Sequence, residues 1–146
     1  MKYLHTMVRV KNLEESLYFY STILGLKEVR RKESEKGRFT LVFLAASDDL
    51  ESAQSEASPV IELTYNWDSE AYTGGRNFGH LAFQVEDIYN FCDYLQQHGV
   101  TLNRPPRDGY MAFIKSPDGI SIELLQKGGP KEGAEPWLSM QNVGGW

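Results

Sequence analysis

His5–Asn12, HTMVRVKN, and His80–Asp87, HLAFQVED, are two copies of one pattern set 75 positions apart. Each alternates polar and apolar residues at the period of a strand and ends on a side chain suited to capping a helix. In the first copy the strand pattern runs from Tyr3 to Val10, with Leu4, Thr6, Val8 and Val10 on one face and His5, Met7 and Arg9 on the other. In the second it runs from Phe78 to Val85, with His80, Ala82 and Gln84 opposite Leu81, Phe83 and Val85. A further match closes each half: VIELTYN, Val60–Asn66, against SIELLQK, Ser121–Lys127. Both halves therefore read strand, helix, then three strands, with a His in the first strand and a Glu in the last. Internal self-similarity of this kind decides the architecture. It predicts an α+β fold of two tandem βαβββ modules, about residues 1–67 and 78–127, in one domain covering 1–127.

Working outward, Asn12 and Glu15 form a weak capping box, and Leu13, Leu17, Tyr20 and Leu24 follow at helical spacing as far as Gly25. Lys27–Lys32 and Arg38–Ala45 read as a hairpin. Ser47–Ser58 is polar and aperiodic and reads as an exposed loop without chemistry. Gly74-Gly75 marks the connector between halves. Asp87 caps a helix carrying Ile88, Phe91 and Leu95 and ending near Gly99. Val100–Leu102, Tyr110–Lys115 and Ile120–Gln126 supply three short strands, the last two joined by a tight turn at Ser116-Pro117-Asp118-Gly119. The tail, 128–146, is rich in Gly and Pro yet keeps Trp137, Leu138 and Trp146. Such apolar anchors predict that it docks on the domain or on a partner subunit.

The bulk composition narrows the function. At 146 residues, with 15 Lys plus Arg against 20 Asp plus Glu and a net charge of −5, the chain lacks the basic excess of a nucleic-acid binder. The amino terminus builds no signal-peptide core, and no run approaches the ~18 apolar residues of a membrane span. A single cysteine, Cys92, forms no internal disulfide and fits a reducing cytoplasm. Its helical spacing with Ile88, Phe91 and Leu95 points to packing, with a reactive thiol as the other reading. His98, at a helix end and unmatched in the other half, reads as a surface residue.

The strand Pro59–Trp67 raises the chemical question. Ile61, Leu63 and Tyr65 share one face and Glu62, Thr64 and Asn66 the other. Glu62 alone is compatible with a face open to water, as His5 alone is with an ordinary surface or core histidine. The duplication changes the weighing. Two halves that each turn a His and a Glu inward bring two carboxylates together, at a cost of several kcal/mol unless a cation offsets them. Two imidazoles and two carboxylates without sulfur suit nickel, cobalt, iron, manganese or zinc. Four ligands on an octahedral ion leave two positions for substrate oxygens.

At these residues the chain resembles the glyoxalase I (lactoylglutathione lyase) family of the vicinal oxygen chelate superfamily. The resemblance covers Tyr3 to Lys127 and is carried by HTMVRVKNLEESLYFY from His5, IELTYNW from Ile61, GRNFGHLAF from Gly75 and SPDGISIELL from Ser116. It implies sheets curved around a metal site, with His5, Glu62, His80 and Glu123 as metal ligands. It implies that Arg9, Asn66 and Arg76 hold glutathione, with Arg107 in the loop that grips the glycyl end. The implied reaction turns the hemithioacetal of methylglyoxal and glutathione into S-lactoylglutathione through an enediolate, with Glu123 as the base and Glu62 on the opposite side of the substrate. A homodimer is implied, each site built from the first half of one chain and the second half of the other. Histidine at position 5 resembles the nickel- or cobalt-preferring branch; the zinc-preferring branch commonly has Gln there, and zinc remains open. The competing readings are another metal-dependent enzyme of the superfamily (epimerase, dioxygenase or thiol transferase) and a metal-free small-molecule-binding protein of the same fold.

Overall fold

The alternation around His5 and His80 is realised as the first strand of each of two small sheets. The computed structural model describes all residues, Met1–Trp146, and divides into two compact units, Met1–Thr73 and Gly74–Trp146. The first contains β1 (His5–Arg9), α1 (Leu13–Leu17) continued by a π-helical turn (Tyr18–Ile23), β2 (Lys27–Ser34), β3 (Phe39–Ala45), a 3-10 turn (Ser47–Asp49), α2 (Leu50–Ser55) and β4 (Val60–Asn66). The second contains β5 (His80–Val85), α3 (Ile88–Gln97), β6 (Met111–Lys115) and β7 (Ser121–Gln126).

In the first unit the sheet order is β1-β4-β3-β2, with β1 parallel to β4 and the remaining pairs antiparallel. Val8, Val10, Val42, Leu44, Ile61 and Leu63 are buried on the face opposite His5, together with Phe19, Tyr20 and Ile23 from the helix. The helix starts where the capping reading put it: the Asn12 carboxamide oxygen accepts from the Glu15 amide at 3.1 Å. Its second half departs from the α-helix expected as far as Gly25. The Leu24 amide donates to the Phe19 carbonyl, a five-residue step that widens the turn and carries Phe19, Tyr20 and Ile23 into the core together. The Ser47–Ser58 stretch is not the loop expected from its polarity. Leu50 and Ala53, three residues apart, lie on one side of α2, and Ala53 is buried.

The second unit repeats the design with one strand fewer. Its sheet order is β5-β7-β6, with β5 parallel and β6 antiparallel to β7. The strand expected at Val100–Leu102 is reduced to one bridge, Arg104 to Phe113. Pro105 and Pro106 follow immediately and have no amide hydrogens to extend a ladder, so pairing stops there. The expected strand from Phe78 likewise begins only at His80. Ile88, Cys92 and Leu95 of α3 are buried, as are Ile122 and Leu124 of β7. Cys92 is a packing residue, its thiol pushed up by desolvation to a pKa of about 12. His98 is exposed at the end of α3, its Nδ1 2.8 Å from the Tyr94 carbonyl oxygen.

The tail packs on this second unit. Lys131 N donates to the Gly109 carbonyl, and a Cβ at Gly109, whose φ is +67°, would fall 2.2 Å from the Lys131 carbonyl oxygen. Trp137 is buried and stacks on Tyr89 at 6.0 Å, and the Tyr89 hydroxyl donates to the Glu132 carbonyl. Asp87 joins helix and tail: one carboxylate oxygen accepts from the Tyr89 and Asn90 amides at the start of α3, and the other pairs with Lys131. The Lys131 ammonium and then the Asn90 amide hold its carboxyl below the usual carboxylate range. A depressed folded-state value means stability present above the unfolded pKa and lost as pH falls through the folded one. Asp87→Ala is expected to cost about 1 kcal/mol at neutral pH in urea unfolding. The difference from the unsubstituted chain should shrink as pH falls below about 4, where unfolded Asp87 protonates first and the folded form follows at lower pH.

Candidate functional site

Glu62 and Glu123 occupy equivalent positions in the two sheets, and the register shows why each meets a histidine. In the first sheet His5 lies opposite Val60, two residues before Glu62; in the second His80 lies opposite Ser121, two residues before Glu123. This diagonal offset on one sheet face lets long side chains meet. His5 Nε2 is 2.9 Å from Glu62 Oε2, and His80 Nε2 is 3.1 Å from Glu123 Oε2. Exposure repeats as well: the side chains are 37% and 12% exposed in the first pair and 42% and 15% in the second. Each pair thus has an accessible imidazole over a largely desolvated carboxylate.

A desolvated carboxylate needs compensation. No Lys or Arg forms an ion pair with either glutamate. The Thr64 hydroxyl adds a 3.3 Å hydrogen bond to Glu62. Neither half gathers a third His, Cys, Asp or Glu around its pair. Each half supplies one imidazole nitrogen and one carboxylate oxygen on the same sheet face, donors that fit a borderline-to-hard divalent cation. Two donors are half of a four-ligand set.

A phenylalanine completes each half-site, and the reading of the sequence missed both. Phe43 on β3 lies directly opposite Glu62, and Phe113 on β6 directly opposite Glu123. His5 meets Phe43 edge to face with centroids at 5.9 Å, and His80 meets Phe113 likewise at 5.3 Å. These rings hold the imidazoles and exclude water from the carboxylates. Their signal was the hairpin register, which would have paired each phenylalanine with its glutamate. Arg30, also unremarked in the sequence, lays its guanidinium 4.0 Å above the Phe43 ring.

The four polar candidates beyond the tetrad divide. Arg9 is exposed on β1, on the His5 face. Asn66 ends β4 on the Glu62 face, where its amide donates to Glu70 at 3.1 Å and to the Tyr72 hydroxyl at 3.5 Å. Desolvation and the Glu70 charge raise the Tyr72 phenol above its ordinary value, with Arg9 opposing them, so Arg9, Asn66, Glu70 and Tyr72 form one polar group. Arg76 is exposed in the segment before β5. Arg107 is turned to the tail, donating to the Met140 carbonyl oxygen at 2.9 Å.

Residues 2–124 match the family model described as the Glyoxalase/Bleomycin resistance protein/Dioxygenase superfamily. The chain is 44% identical over 132 residues to the lactoylglutathione lyase of Neisseria meningitidis, covering 87% of this chain and 91% of that one. It is 42% identical over 134 residues to a probable lactoylglutathione lyase of Synechocystis, covering 88% and 98%. Among solved structures, the trypanothione-dependent glyoxalase I of Leishmania major superposes with a TM-score of 0.78 at 36% identity, covering 87% of each chain.

Proposed function

The chain belongs to the glyoxalase/bleomycin resistance protein/dioxygenase superfamily, its activity is that of a lactoylglutathione lyase, and we propose that this activity runs through His5, Glu62, His80 and Glu123. The observation that carries the assignment is the repetition of one His–Glu pair, at 2.9 and 3.1 Å, at the same register of both sheets. The substrate is the hemithioacetal of methylglyoxal and glutathione, and the product S-lactoylglutathione.

A complete site needs the two donors of each half, and, as the family resemblance implies, it draws the first half from one chain and the second half from its partner in a homodimer. When bound by these four side chains, a divalent cation, nickel or cobalt in preference to zinc, supplies Lewis-acid stabilisation of the negative charge that develops on the substrate's neighbouring oxygens. Glu123 removes the proton from the hemithioacetal carbon, giving an enediolate; the proton is returned to the adjacent carbon and the hydroxyl proton passes from the first oxygen to its neighbour, leaving a thioester and a hydroxyl. Glu62 flanks the opposite side of the substrate. Phe43 and Phe113 keep water from both carboxylates, which strengthens their interactions with the developing charge. Arg9, Asn66 and Arg76 hold the carboxylates and amides of glutathione, Arg9 and Arg76 by paired guanidinium hydrogen bonds. Arg107 sits at the glycyl end and reaches it on releasing Met140. No helix is long and apolar enough to cross a membrane. We place the activity in the cytoplasm, where thiols stay reduced.

Apoprotein prepared with a chelator tests this reading directly. Returning nickel, cobalt, zinc or magnesium separately, while following thioester formation by absorbance, is expected to restore activity best with nickel or cobalt, at one ion per chain. Inactivity with every ion overturns the assignment.

A further inference from the structure

The last residue of the chain lies beside the second half-site. Trp146 stacks on Phe113 with centroids at 5.7 Å and planes at 25°, and Phe113 is the ring that holds His80 and faces Glu123. The family match ends at residue 124, so this contact belongs to a segment outside the shared pattern. It is also firmly placed. Asn103 clamps Val143 twice, its carbonyl accepting from the Val143 amide at 3.0 Å and its carboxamide donating to the Val143 carbonyl at 2.9 Å. Three residues beyond that clamp span at most about 10 Å, so the indole cannot stray far from Phe113. Gly144, at φ +63°, takes a left-handed conformation open to glycine and turns the terminus onto the ring. Stacking uses one face of the indole, and 43% of the residue stays exposed.

We propose that Trp146 is a wall of the substrate site, and that the carbon substituent contributed by the 2-oxoaldehyde packs against it, so that the carboxyl-terminal tail sets the size of aldehyde accepted. This rests on the lactoylglutathione lyase reading given above. An apolar or aromatic substituent gains from an indole face already oriented by Phe113, whereas a methyl group covers little of it.

The metal-loaded protein, labelled with 5-fluorotryptophan, provides a test independent of turnover. The Trp146 fluorine signal, assigned by its loss in Trp146→Phe, is expected to shift when S-hexylglutathione is added and to move far less with glutathione alone. In parallel, Trp146→Ala and a chain ending at Asn142 are expected to raise KM for the phenylglyoxal hemithioacetal about three- to tenfold more than KM for the methylglyoxal hemithioacetal, with any change in kcat shared by the two substrates. An unmoved Trp146 signal, while calorimetry shows S-hexylglutathione binding, overturns the proposal and leaves the lyase reading standing. So does an unaltered ratio of the two substrates, including the case in which the variants only weaken the dimer. Absence of S-hexylglutathione binding to the unsubstituted protein overturns both.

Discussion

Glu123→Gln is expected to lower S-lactoylglutathione formation by about 10²-fold or more, the scale of a lost general base. The change keeps the size of the side chain and an oxygen able to ligate, and removes only the capacity to take a proton. Its setting supports the role: Glu123 is 15% exposed, backed by Phe113 and paired with His80 at 3.1 Å, with no Lys or Arg ion-paired to it. Being only partly buried, the variant should keep its unfolding midpoint and its divalent-ion stoichiometry. Near-normal turnover by protein that still binds one ion per chain would remove Glu123 from the role of base. Glu62→Gln, in the other half-site, then becomes the variant to measure.

The second large effect concerns which chain owns a site. A chain carrying His5→Ala and Glu62→Ala, and another carrying His80→Ala and Glu123→Ala, should each be inactive alone. Mixed and allowed to exchange subunits, they should recover about one quarter of the unsubstituted activity, because half of the dimers are mixed and each of these has one intact site. The intact site joins the unaltered first half of one chain to the unaltered second half of the other. If all four ligands came from a single chain, mixing would recover nothing. Size-exclusion chromatography of each variant before mixing distinguishes that result from a failure to dimerise.

Much of this design was legible in the chain. The alternation in HTMVRVKN and HLAFQVED placed His5 and His80 on the open faces of their strands, and IELT and IELL did the same for Glu62 and Glu123, because a strand's period of two depends only on local covalent geometry. The caps at Asn12 and Asp87 were readable for the same reason. What failed was whatever depended on partners distant in sequence. Polarity made Ser47–Ser58 look like a loop, but the burial of Ala53 organises it as α2. Val100–Leu102 has strand composition, yet the pairing forms just beyond it, as the single Arg104 bridge to Phe113. Gln126, unremarkable in sequence, is buried, accepts from the Ile88 amide and donates to the Glu86 and Lys127 carbonyls, fixing the start of α3.

By itself, then, the amino-acid order determined the duplication, the strand faces and the two His and two Glu proposed as ligands, all of which follow from local periodicity and residue chemistry. Only the tertiary structure decided that each imidazole meets its own half's carboxylate within about 3 Å, that Phe43 and Phe113 back them, and that the chain ends with Trp146 on Phe113. Those contacts join residues many positions apart, and they exist because hydrogen-bond register between strands, which no local pattern encodes, sets which side chains stand face to face.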